Sequence, residues 1–196
     1  ENVIRVIGKR ALQPYKIKIS GDPSSAAFFC ALTLLLNKSK LLITNVGLNP
    51  TRTGFYSLLK KFGAKINFKN IKNINSEKKG DIEIKSSKLK PIFASEKFYM
   101  NSTDEYPILF VIAALTKGKS TFRGIEELKN KESNRVFEMQ RILKQIGIKT
   151  KYKSGSLVIF GKNIFKHNAK ILVPNLGDHR ICMSALILSL VTGIQV

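Results

Sequence analysis

A chain of 196 residues, 43% of them hydrophobic, carries enough apolar matter for one substantial core or two small ones, which excludes an intrinsically disordered polymer. Its apolar runs fall well short of the roughly 20 residues of a bilayer-spanning helix and no signal peptide opens it, so it reads as a soluble cytoplasmic protein. The net charge of +21 invites a polyanion, but only seven of the 34 basic residues are arginine, and the lysines are scattered rather than gathered in a block. With abundant Ile and Asn beside them, they read as a compositional bias of the source, and no nucleic-acid partner is expected.

Taken in chain order, residues 1 to 13 include a strand-like stretch at Val3–Ile7 that belongs to no later pattern and reads as the tail of a preceding domain. A strand is predicted at Tyr15–Ile19. It is followed by Gly21–Leu36, in which Asp22 precedes a long run of apolar and small residues. Such an aspartate suits a helix N-cap or first turn, where its carboxylate accepts orphan backbone N–H groups. The run lacks a polar stripe, so the helix it forms must be buried on all sides. Next come a strand at Lys40–Asn45, an amphipathic helix over about Arg52–Phe62 with Gly63 as a left-handed C-cap, and strands at Lys65–Phe68 and Asp81–Ile84.

The same order then returns. A strand near Ile92–Tyr99 leads to Thr103–Thr116, where Asp104 precedes a second apolar run. A strand at Lys119–Arg123, an amphipathic helix over about Lys131–Ile146 closed by Gly147, and strands at Lys149–Tyr152 and Ser156–Phe160 complete the unit. The spans Asp22–Gly63 and Asp104–Gly147 are nearly equal in length, which chance does not readily produce. A third start follows, with a strand at Ala169–Val173 and Asp178 ahead of the run ending at Gly193. Residues 14 to 196 are therefore read as a domain of β-α-β-α-β-β units whose third copy is incomplete, and the chain as a piece of a longer protein.

Three buried helices packed in the same sense would gather their N-termini at one end, each offering free N–H groups and about half a positive charge. Asp178, His179 and Arg180 are expected at the rim of a cleft there, with Asp104 and Glu105 of the second unit and the charged segment Ile125–Arg135. Cys30 and Cys182 both lie in apolar runs without a CxxC pair or a histidine cluster. They are read as buried, reduced thiols, and no metal or cofactor is expected.

Four segments, Gly21–Phe29, Asp104–Leu109, Glu127–Arg135 and Asp178–Met183, resemble the enolpyruvyl transferases in the family's order, most closely the members acting in the shikimate pathway. The resemblance implies an inside-out α/β barrel with helices within and sheets outside, and covers most of the second of two such domains. It further implies a monomeric enzyme whose partners are the missing first domain and two small substrates, phosphoenolpyruvate and shikimate 3-phosphate. In that likeness Asp104 is the general base beside shikimate 3-phosphate, Lys131 contacts the same substrate, and Glu132 handles the proton on the methylene carbon. Arg135 and Arg180 clamp phosphoenolpyruvate, and His179 accompanies Arg180 to orient it or carry protons. The chain departs from the family's usual pattern at Lys129 and Asn134, where arginine and aspartate are the rule. The alternatives are the sister enzymes acting on UDP-N-acetylglucosamine and, from another class, a basic nucleic-acid-binding module or an RNA-terminal-phosphate cyclase-like protein.

Overall fold

The computed structural model describes residues 3–9, 11, 13, 14, 16–74, 76–162, 170–174 and 177–196. Helix α1 (Pro23–Leu35) starts where predicted: Asp22 is its N-cap and accepts hydrogen bonds from the Ser25 N–H and hydroxyl, both at 2.8 Å, and Pro23 occupies the first turn. Strand β1 (Lys40–Gly47) leads through a 3-10 turn at Pro50–Arg52 into α2 (Gly54–Lys61). That helix buries Phe55, Tyr56, Leu58 and Leu59 and leaves Ser57, Lys60 and Lys61 outside. The hairpin of β2 (Lys65–Ile74) and β3 (Glu77–Lys85) is longer than its apolar alternation predicts, because its lysine- and asparagine-rich tip continues the ladder in solvent.

The second unit repeats this plan with β4 (Phe93–Ala94), 3-10 turns at Glu96–Asn101 and Thr103–Glu105, α3 (Tyr106–Leu115) and β5 (Gly118–Phe122). A 3-10 turn at Glu126–Asn130 then precedes α4 (Arg135–Gln145), β6 (Lys149–Lys153) and β7 (Ser156–Gly161). Both amphipathic helices end at glycines in the left-handed region, Gly63 at φ 99° and Gly147 at φ 73°, as their sequence positions predict. The sheets match: β1-β3-β2 in the first unit and β4-β5-β7-β6 in the second, with β4 parallel to β5 and the remaining pairs antiparallel. Helix α5 (His179–Thr192) opens the third repeat.

Helices α1, α3 and α5 touch one another at the centre, and the sheets lie outside. Helix α3 is enclosed on every side, with each residue from Tyr106 to Ala114 buried. Phe110 meets Phe122 edge-on with ring centroids 5.0 Å apart, and each such large apolar side chain contributes about 1.5–3 kcal/mol by leaving water.

Several expectations need correction. The first strand of the first unit shrinks to one parallel bridge between Gly21 and Val46, with Ile17 and Ile19 exposed; Tyr15 lies outside the described residues. A bulge in β1 between Ile43 and Val46, with Asn45 at φ 53°, turns away the edge that a longer strand would need. The strand near Ile92–Tyr99 is only Phe93–Ala94 and then tightens into a 3-10 turn. That at Ala169–Val173 is a bridge from Lys170 to Gln195, with Ala169 outside the described residues. Val3–Ile7 is exposed and pairs with no strand among the described residues. The fourth helix begins at Arg135 rather than Lys131, because the Asn134 side chain caps it by accepting from the Phe137 N–H at 3.0 Å.

Nor is every central helix buried all round: α5 leaves Cys182, Leu186 and Leu190 exposed, since no sheet among the described residues covers that stripe. Cys30 is buried as expected, but Cys182 is not. Among the described residues no helix is long and apolar enough to cross a membrane.

Candidate active site

The N-terminal ends of α1, α3 and α5 converge, as the repeat requires. Ser24 of α1 lines one cleft with the Asp104–Glu105 turn before α3, while Arg180 of α5 reaches that turn from the other side. Arg180 donates from Nη2 to Asp104 Oδ2 at 3.1 Å and from Nη1 to the Asp104 carbonyl oxygen at 3.4 Å.

Beneath this contact lies Arg135, which opens α4 and is 0% exposed despite its charge. Its Nε donates to Asp178 Oδ2 at 2.9 Å and its Nη2 to Glu132. Its Nη1 lies 3.6 Å from Asp104 Oδ1 and has no hydrogen-bond partner. A buried guanidinium is tolerable only when its charge is met, and Asp178 meets it.

Asp178 is itself fully buried, which corrects its expected place at the rim. As N-cap of α5 it accepts from the Arg180 N–H at 3.1 Å, and it also accepts from the Ser133 hydroxyl at 2.9 Å. Burial alone would raise its pKa, but the hydrogen bonds from Arg135 and Ser133, the Arg135 charge and the Arg180 N–H together hold it below the usual carboxylate range. One buried ion pair thus fixes the start of α4 against the start of α5.

Asp104 departs from its expected capping role. The residue at the N-cap of α3 is Glu105, which makes no side-chain cap bond, and Asp104 stands one residue earlier in the 3-10 turn. Its carboxylate faces two guanidinium groups and remains 39% exposed. The structure therefore brings Asp104, Glu132, Arg135 and Arg180 into one cluster. Lys131 borders the same side through a cleft of about 310 Å³ shared with Ser24, Arg52 and Asp104, but forms no ion pair with Asp104 among the described residues. His179 is exposed at the first residue of α5 and joins the cluster through no hydrogen bond among the described residues.

The departures from the family pattern have local explanations. Asn134 caps α4, a task for which Asn and Asp serve about equally. Lys129 points elsewhere, with its Nζ 4.4 Å from the centre of the Tyr152 ring. Sequence reasoning missed the Arg135–Asp178 pair and the contacts of Arg52 with Asp22 and Ser24 at 3.1 and 3.0 Å. The sequence carried no signal for either: the three aspartates that head apolar runs look alike, and only Asp178 is buried. Among the described residues no group of three or more His, Cys, Asp or Glu side chains could hold a metal ion.

The family model for EPSP synthase (3-phosphoshikimate 1-carboxyvinyltransferase) matches residues 1–196. The chain is 38% identical over 193 residues to the 3-phosphoshikimate 1-carboxyvinyltransferase of Zymomonas mobilis, covering 97% of this chain and 43% of that protein. The solved EPSP synthase of Acinetobacter baumannii superposes with a TM-score of 0.79 at 35% identity, over 87% of this chain and 40% of that one. The enolpyruvyl transferase NikO of Streptomyces tendae shares the fold, with a TM-score of 0.55 at 15% identity over 86% of this chain and 36% of its own. The chain thus spans less than half the length of these relatives.

Proposed function

Because the chain belongs to the EPSP synthase family, we propose that the protein it forms part of transfers the enolpyruvyl group of phosphoenolpyruvate to the 5-hydroxyl of shikimate 3-phosphate, releasing inorganic phosphate. The observation that supports this reading best is the position of Asp104. Its carboxylate caps no helix; it is presented to the cleft and oriented by Arg180 at 3.1 Å and Arg135 at 3.6 Å. Such a group can take the proton of a substrate hydroxyl as that oxygen attacks.

In the first step the 5-oxygen bonds to C2 of phosphoenolpyruvate while C3 accepts a proton, giving a tetrahedral adduct. Glu132, half exposed beside Arg135, is the group proposed to supply that proton. In the second step a proton leaves C3, the C2–O bond to phosphate breaks and the double bond returns. Arg180 and Arg135 are assigned to the two anionic groups of phosphoenolpyruvate, since planar guanidinium forks match carboxylate and phosphate; Nη1 of Arg135, buried against Asp104 in this structure, has to be uncovered to make that contact. Lys131, exposed on the cleft, is assigned to shikimate 3-phosphate, and His179 to orienting Arg180 or carrying protons.

The reading includes a monomeric cytoplasmic enzyme whose other substrate ligands lie outside residues 1–196, so this chain alone should turn over little substrate. The test is phosphate release by the purified full-length protein. Turnover with phosphoenolpyruvate and shikimate 3-phosphate is expected. Turnover with UDP-N-acetylglucosamine in place of shikimate 3-phosphate, and none with the latter, would overturn the assignment.

A further inference from the structure

Glu105 has no part in that mechanism, yet its setting demands one. It is 3% exposed although it directly follows Asp104, and its Oε1 is buried without a hydrogen-bond partner. The groups facing it come from each element packed there: Ser24 from α1, Asp104 from its own turn, Arg180 from α5 and Arg52 from the turn before α2. Neither arginine is committed to it. Arg52 holds Asp22 and Ser24, and Arg180 holds Asp104. With Ser24 as its hydrogen-bonding neighbour and Oε1 left unmatched, a buried carboxylate here is expensive, and its protonated form is the cheaper occupant of such a place.

We infer that Glu105 is a positioning residue that works as an uncharged carboxylic acid beneath Asp104, leaving Asp104 as the one anion at this turn presented to Arg180. The inference rests on the proposed role of Asp104 as base. Burial is the main influence on the Glu105 carboxyl and the neighbouring Asp104 charge adds to it, so that its pKa is raised despite Ser24, Arg180 and Arg52. Ionisation would divide Arg180 between two adjacent carboxylates and set a like charge against Asp104, loosening the orientation of both.

The experiment measures kcat and KM for phosphoenolpyruvate against pH in the full-length protein and in its Glu105→Gln and Glu105→Ala variants, with thermal unfolding followed at each pH. The glutamine amide copies the neutral acid in shape. The parent should lose kcat/KM as Glu105 ionises and Glu105→Gln should lack that loss, so the ratio of variant to parent climbs about threefold or more towards alkaline pH. Glu105→Ala should have a lower kcat at every pH, with glutamine restoring it.

The sign for stability follows from the raised pKa. The group's favourable contribution is complete below its unfolded value of about 4.3 and is lost as pH rises through the folded one. Glu105→Gln should therefore melt with the parent in acid and above it at higher pH. A glutamine profile parallel to the parent's, or equal destabilisation by glutamine at every pH, would overturn the inference. If Asp104→Asn keeps full turnover, the base assignment fails instead, and the melting comparison still decides the state of Glu105.

Discussion

The heads of α1 and α3 occupy equivalent places in two copies of one unit, yet their aspartates do different things. Asp22 is tied to its own helix: it caps α1 through Ser25 and receives the outlying Arg52. Asp104 stands one residue further from its helix, caps nothing, and is held by guanidinium groups from two other elements. The repeat builds the scaffold twice, and in the second copy a short 3-10 turn sets the carboxylate off its helix and on the cleft. Asp178, at the head of the third copy, combines both tasks as cap and as counterion to buried Arg135.

The contrast can be broken by substitution. In the full-length protein Asp104→Asn should lower kcat by about 10²- to 10⁴-fold, the usual worth of a general base, with little change in substrate affinity. Steady-state kinetics that leave turnover intact would return Asp104 to the same class as Asp22. Asp178→Ala should destabilise by about 3–5 kcal/mol, because Arg135 would remain buried without its partner. Chemical denaturation measures this, and a loss under about 1 kcal/mol would show that the pair is not what joins α4 to α5.

Asp178 also fixes a pH dependence. Since its folded pKa is lowered, its contribution is present above the ordinary carboxylate value of about 3.9 and disappears as pH falls through the folded value. The acid unfolding of Asp178→Asn should accordingly be shallower than the parent's. Arg180→Ala should raise KM for phosphoenolpyruvate by about tenfold or more, as loss of a charge-assisted contact does. The smallest effect belongs to Asp22→Ala: about 1 kcal/mol of stability from a lost cap, and turnover close to the parent's. A large loss of turnover there would erase the distinction between the two aspartates.

Much of this was legible in the sequence. The apolar runs after Asp22, Asp104 and Asp178 announced three central helices, and Gly63 and Gly147 marked the ends of the amphipathic ones. These features depend on local chemistry, which periodicity and capping residues report directly. Strand lengths were less legible, because a strand such as Phe93–Ala94 is limited by what its neighbour can pair with. That Asp104, Glu132, Arg135 and Arg180 lie together agrees with the sequence reading, whereas their depth was not legible. Nothing in the run from Ser133 to Arg135 shows that Arg135 is sealed from solvent while Glu132 beside it is half exposed, or that Glu105 lies buried under Asp104. Those differences arise from which helix ends meet, and such meetings join residues 43 and 76 positions apart.

The most direct test of the central claim, that Asp104 is the base set between two arginines, is a crystal structure of the full-length protein with shikimate 3-phosphate and phosphoenolpyruvate, or an unreactive analogue of it, bound. The 5-hydroxyl oxygen is expected within hydrogen-bond distance of the Asp104 carboxylate, with the anionic groups of the second ligand on Arg180 and Arg135. A 5-hydroxyl facing another group, with Asp104 remote from both ligands, would contradict it.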